Sequence, residues 1–65
     1  MKIELNGETV SVTATTLEAV MQELGHHNQT VATAVNGTFV PASDRATFVL
    51  SDEDRIEIVA PMQGG

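Results

Sequence analysis

The sequence predicts an α+β fold, a mixed twisted sheet packed on one helix. Three observations predict it. Two Asn-Gly pairs, Asn6-Gly7 and Asn36-Gly37, each lie between short β-type runs, the favoured signature of a two-residue hairpin turn. Between the hairpins, Leu17, Val20, Met21 and Leu24 recur at helical spacing and make one apolar stripe. Near the end, Arg55-Ile56-Glu57-Ile58-Val59-Ala60 alternates, with Ile56 and Ile58 on one face and Arg55, Glu57 and Val59 on the other.

The elements follow in order. Met1 to Leu5 alternates, with Ile3 and Leu5 together, and Thr9 to Val12 alternates after the first Asn-Gly pair. The period then changes, and a helix is expected over about 16–24. Thr15 with Glu18 three residues later reads as a capping box, and Gly25 falls where a left-handed C-terminal cap belongs. His26 to Thr30 is a polar connection. Val31 to Val35 and Thr38 to Val40 form the second hairpin, stopped by Pro41. Ala42 to Arg45 reads as a turn or one helical turn, Thr47 to Leu50 as a short edge strand, and Ser51 to Asp54 as a turn before the last strand. One amphipathic helix must bury its stripe, and the sheet is the apolar surface that can cover it. With the first and last strands parallel at the sheet centre, this is the β-grasp arrangement. The domain is expected over 1–60, and 61–65 form a tail.

Sixty-five residues make one domain, which at this size buries only about 60% of its unfolded surface. The chain has no cysteine, so disulfides, Cys-ligated metals and thiol catalysis by this chain are excluded. Nine acids against three Lys and Arg give a net charge of −6, which argues against nucleic acid as a partner. It suits a basic docking surface, although acidity is also an ordinary route to solubility. No apolar run is long enough to cross a membrane and no basic, apolar leader is present. A soluble, cytoplasmic protein is therefore expected. His26 and His27 are adjacent, but sequence neighbours seldom point at one ion, so no metal is expected. No catalytic set is visible, and a chain this small can hardly build the cleft a triad needs.

The tail, Pro61-Met62-Gln63-Gly64-Gly65, is the most informative segment. Two glycines contribute no side chain to a fold and lose the most backbone freedom on ordering. They can instead pass down a narrow channel and present a carboxylate. Pro61 cannot donate to a sheet ladder, so the chain should leave the sheet there. Five residues then reach about 16–18 Å. Frayed termini often carry glycine without any role, so the reading rests on the upstream pattern as well.

That pattern, Ala34-Val35-Asn36-Gly37-Thr38-Phe39-Val40-Pro41, then Asp52 to Val59, then Gly64-Gly65, resembles the ThiS family, the ubiquitin-like sulfur carriers of thiamine thiazole biosynthesis. The resemblance covers nearly the whole chain. It departs at Asp52-Glu53-Asp54, where the family usually has Asp-Gly-Asp. If that turn needs positive φ, Glu53 is strained by roughly 1 kcal/mol or more.

The resemblance implies a carrier, not an enzyme. An E1-like adenylating enzyme of ThiF type would use ATP to adenylate the Gly65 carboxylate. A sulfur donor such as a cysteine desulfurase would convert it to a thiocarboxylate, and a thiazole synthase of ThiG type would accept the sulfur. No cofactor would be bound by this chain itself; the ATP belongs to the activating partner. Gly65 would carry sulfur, and Met62, Gln63 and Gly64 would line the approach through the partner's channel. Docking is expected on the sheet face opposite the helix, through Ala34, Phe39 and Val59 rimmed by Glu57 and Asp54. The alternative is that these are scattered surface apolar residues. Other carrier-like readings are a molybdopterin synthase small subunit, which is typically longer, and a ubiquitin-like protein modifier.

Overall fold

A computed structural model describes residues 1–26 and 30–60. Strands β1 (Lys2–Leu5) and β2 (Glu8–Ser11) form the first hairpin, followed by helix α1 (Leu17–Glu23). Strands β3 (Ala32–Val35) and β4 (Thr38–Val40) form the second, and a 3-10 turn (Ala42–Asp44) leads towards β5 (Arg55–Val59). The sheet order is β2-β1-β5-β3-β4. β5 runs parallel to β1 and antiparallel to β3. The first and last strands thus meet at the centre, as the alternation and the single helix predict.

Both hairpins turn on two consecutive residues of positive φ, Asn6 at 48° with Gly7 at 87°, and Asn36 at 51° with Gly37 at 84°. This is the type I′ geometry that matches strand twist. Ile3, Val12, Leu17, Val20, Met21, Val35, Val40, Leu50, Ile56 and Ile58 are buried together between helix and sheet. Each such side chain contributes about 1.5–3 kcal/mol by leaving water. The helix ends in a Schellman motif: Gly25, at φ 86°, donates to the Gln22 carbonyl, and His26 donates to that of Met21.

Three local expectations are corrected. The helix spans Leu17–Glu23 and its cap is Thr16, whose side chain accepts from the Ala19 amide at 3.3 Å; Thr15 does not cap it. The reason is tertiary. Phe48 and Arg45 carbonyls accept the first two helical amides, from Leu17 at 2.9 Å and Glu18 at 3.0 Å. The Glu18 amide that a Thr15 side chain would cap is therefore already taken. Thr47 to Leu50 is not an edge strand, and makes a single bridge, Thr16 to Val49. Its backbone bonds to the entry of the helix through Leu50 N–H to the Thr15 carbonyl, away from the sheet. Finally, β3 begins at Ala32, one residue after the expected Val31.

Arg45 is buried, and its guanidinium donates to Thr33 Oγ1 at 3.0 Å and to the Val31 carbonyl at 2.6 Å. Thr33 Oγ1 in turn donates to the Val40 carbonyl. The 3-10 turn is thereby pinned to the second hairpin by a satisfied polar chain.

At the other end of the helix, Glu23 accepts from the amides of Thr13 and Ala14 and from the Thr13 hydroxyl, at 2.9–3.1 Å. A carboxylate at a helix C-terminus opposes the helix dipole, and these donors compensate. The Ala14 amide first, then that of Thr13, holds the Glu23 carboxyl below its ordinary range.

Candidate functional site: the open sheet face and the exit of the last strand

Pairing across the sheet decides which outward side chains meet. Ala34 lies opposite Phe39 on β4 and opposite Glu57 on β5, so Phe39, Ala34 and Glu57 form one row. Ala32 lies opposite Val59 in the next row of the same face. Phe39 is 64% exposed and Val59 58%, while Ile56 and Ile58 between the outward residues are buried. An apolar surface therefore lies open on the half of the sheet that carries β3, β4 and the end of β5.

The other half differs. There Lys2 and Glu4 on β1, Thr9 and Ser11 on β2, and Arg55 on β5 share the outward register. A shallow groove of about 510 Å³, lined by Glu4, Asn6, Gly7, Arg55, Ile56 and Glu57, marks the boundary. The open face is divided into an apolar half and a charged half, with β5 between them.

Of the residues expected to form the docking surface, the structure brings together Ala34, Phe39, Glu57 and Val59. It does not bring Asp54 to them. Asp54 precedes the strand, and its oxygens accept from the Asn36 carboxamide at 3.0 Å and the Ser51 amide at 2.8 Å. Its role is to hold the turn. In that turn Glu53 has φ 70°, the left-handed conformation suspected from the missing glycine, and its amide donates to the Lys2 carbonyl. Met62, Gln63, Gly64 and Gly65 lie outside the described residues.

Sequence reasoning missed two residues that handle β5. The Asn36 carboxamide oxygen accepts from the Arg55 amide at the start of the strand. The Asn6 oxygen accepts from the Ile58 amide at 2.9 Å, and its nitrogen donates to the Ile58 carbonyl at 3.2 Å. Both were legible only as turn formers, because their partners lie far away in the chain.

Among the described residues, no group of three or more His, Cys, Asp or Glu could hold a metal ion. Among the same residues, no helix is long and apolar enough to cross a membrane. The arrangement presents an exposed, partly apolar sheet face and a last strand that runs along it.

A mixed five-stranded sheet crossed by one helix, with its last strand central, defines a ubiquitin-like β-grasp protein. The chain belongs to the ThiS family, whose model matches residues 2–65. Its fold is similar to the crystal structure of a thiamine biosynthesis protein (ThiS) from Geobacter metallireducens, at 20% identity and a TM-score of 0.84 over all of both chains. A solution structure of a thiamine biosynthesis protein from Geobacter metallireducens aligns with a TM-score of 0.76 at 20% identity, over 100% of this chain and 88% of that one. The chain is also 41% identical over 66 residues to a thiazole synthase of Paramagnetospirillum magneticum and 39% identical to one of Magnetococcus marinus. All of this chain aligns in both cases, and it spans 20% of the length of each of these curated relatives.

Proposed function

We propose that this chain is a protein-bound sulfur carrier for thiazole formation in thiamine biosynthesis, acting as a co-substrate and not as an enzyme. The observation that carries the proposal is the family match, which runs on past the β-grasp scaffold through Gly64-Gly65. The two thiazole synthases in which a fifth of the length is similar to this chain support thiazole formation over the molybdopterin reading. They also support a thiazole synthase as the sulfur acceptor.

A carboxylate is a poor electrophile, so it needs a leaving group. In the proposed cycle a Gly65 carboxylate oxygen attacks the α-phosphorus of ATP on an E1-like, ThiF-type partner, and pyrophosphate leaves. A persulfide sulfur from a donor such as a cysteine desulfurase then attacks the acyl carbon and AMP leaves, and a thiol reductant cleaves the resulting acyl disulfide, releasing the donor's sulfur as a thiol. Sulfur now stands in place of one carboxylate oxygen. The synthase receives that sulfur from the thiocarboxylate. This chain contributes recognition through its open face and reach through its tail, and ATP is bound by the partner.

The test is the intact mass of the chain after incubation with a ThiF-type adenylating enzyme, ATP and a sulfur source. One sulfur-for-oxygen exchange mapped to Gly65 is expected, and it also requires Gly65 to carry a free carboxylate. An unchanged mass with an enzyme active on another carrier would overturn the proposal. Deleting Gly65 should abolish the exchange while leaving the circular dichroism spectrum unchanged.

A further inference from the structure

β1 is too short to hold β5 to its end. Its backbone pairs with β5 only at Glu4 opposite Arg55 and Leu5 opposite Ile56. The Asn6 amide adds one more bond, to the Ile56 carbonyl at 2.9 Å, and the chain then turns away at Gly7. Alternation along β5 directs the next amide and carbonyl on this side from Ile58. That residue is only 8% exposed, and leaving its polar groups unpaired there would be costly.

The Asn6 carboxamide fills the gap. Its oxygen takes the Ile58 N–H and its nitrogen meets the Ile58 carbonyl, so one side chain supplies the acceptor and the donor that a longer β1 would have supplied from its backbone. The turn holds Asn6 at φ 48°, a conformation Asn tolerates better than most residues. The clamp grips β5 one residue before outward-facing Val59 and three before Pro61 in the sequence.

We infer that Asn6 is a positioning residue for the C-terminal tail. It holds the β1-facing side of the last strand at Ile58, while β3 holds the other side as far as Val59, opposite Ala32. A partner that docks on the open face then receives the tail from a defined origin, which lowers the ordering cost of reaching the reactive centre. The inference rests on the carrier function proposed above.

Asn36 is the built-in control. It occupies the same turn position in the other hairpin at φ 51°, and its carboxamide oxygen also takes an amide of β5, but at Arg55, the end remote from the tail. Asn6→Gly and Asn36→Gly both keep a backbone suited to positive φ and delete the carboxamide.

The experiment is ATP–pyrophosphate exchange by the adenylating enzyme at varied concentrations of the full chain, with amide hydrogen exchange measured on the same proteins. For Asn6→Gly, faster exchange at Ile58 is expected, with kcat lowered about ten-fold and KM for the carrier within about two-fold of the unaltered chain. Asn36→Gly should leave kcat unchanged. Asn6→Asp, which keeps the acceptor and loses the donor, should also lower kcat if Asn6→Gly proves poorly folded. Equal kcat for Asn6→Gly and the unaltered chain, or equal losses for the Asn6 and Asn36 variants, would overturn the positioning role. An unaltered chain that supports no exchange would overturn the carrier proposal and this inference together, a distinct result.

Discussion

The two faces of the sheet are built from the same strands and are used oppositely. On β5, Ile56 and Ile58 enter the core, while Arg55, Glu57 and Val59 stand exposed. On β3, Thr33 and Val35 are buried, whereas Ala34 is only partly covered and Ala32 is exposed. A period of two sends alternate residues to opposite sides, so stability and recognition can be assigned to interleaved positions of one strand. The difference teaches that a large apolar residue has a different meaning on each face. Ile56 at 1% exposure is a packing residue, and Phe39 at 64% is available to a partner.

Substitutions sharpen that contrast. The largest effect on stability is expected at the inner face. Ile56→Ala removes a side chain from the middle of the core and should cost about 2–5 kcal/mol, read from urea unfolding; a loss as small as that of a surface change would break the division of faces. On the outer face, Phe39→Asp should alter stability by no more than about 0.5 kcal/mol. If the proposed ThiF-type partner docks on this face, the change should weaken that association about ten-fold or more, as expected of an aromatic anchor covered on binding, and titration calorimetry would show it. Unaltered affinity would return Phe39 to the ordinary scatter of surface apolar residues.

A smaller effect is expected in the turn that feeds β5. Glu53→Gly relieves a left-handed residue at φ 70° and should raise stability by about 1 kcal/mol, measured by the shift in denaturation midpoint. A destabilised variant would mean that the Glu53 side chain contributes more than its backbone costs.

The smallest effect lies outside both faces, at Glu23. Its carboxyl is held below the ordinary value of 4.5 by the Ala14 and Thr13 amides. The folded state therefore binds this proton less readily than the unfolded chain. Its contribution is fully present above about pH 4.5 and is lost as pH falls through the lower, folded-state value. Glu23→Gln should flatten that acid limb of the stability profile and leave the open face's binding at neutral pH unchanged. An unchanged acid limb would show that these hydrogen bonds do not discriminate the ionised form.

Much of this was legible in local pattern. Asn-Gly pairs require positive φ and mark the hairpins, the Leu17-Val20-Met21-Leu24 stripe marks the helix, and alternation orients β5. The positive φ of Glu53 could be suspected only through the family resemblance, whose pattern usually has a glycine at that position. Local pattern misassigned the helix cap, because Thr15 and Thr16 are equally good capping residues and the choice was made by carbonyls of Arg45 and Phe48. It also placed Asp54 on the docking rim, where the structure commits it to Asn36 and Ser51.

By itself, then, the sequence determined the two hairpins, the single helix and the last strand, their order, and which residues of each of these strands share a face. These depend on backbone preferences and periodicities that act within a few residues. They did not decide the fate of Thr47 to Leu50, which makes one bridge instead of a strand. The tertiary structure alone decided that Phe39, Ala34 and Glu57 align in one row, that Arg45 is buried against Thr33, and that Asn6 clamps Ile58. Each depends on register or on a contact between distant segments, the last across 52 residues. No local propensity encodes such a contact; it forms only when the core brings β1 and β5 side by side.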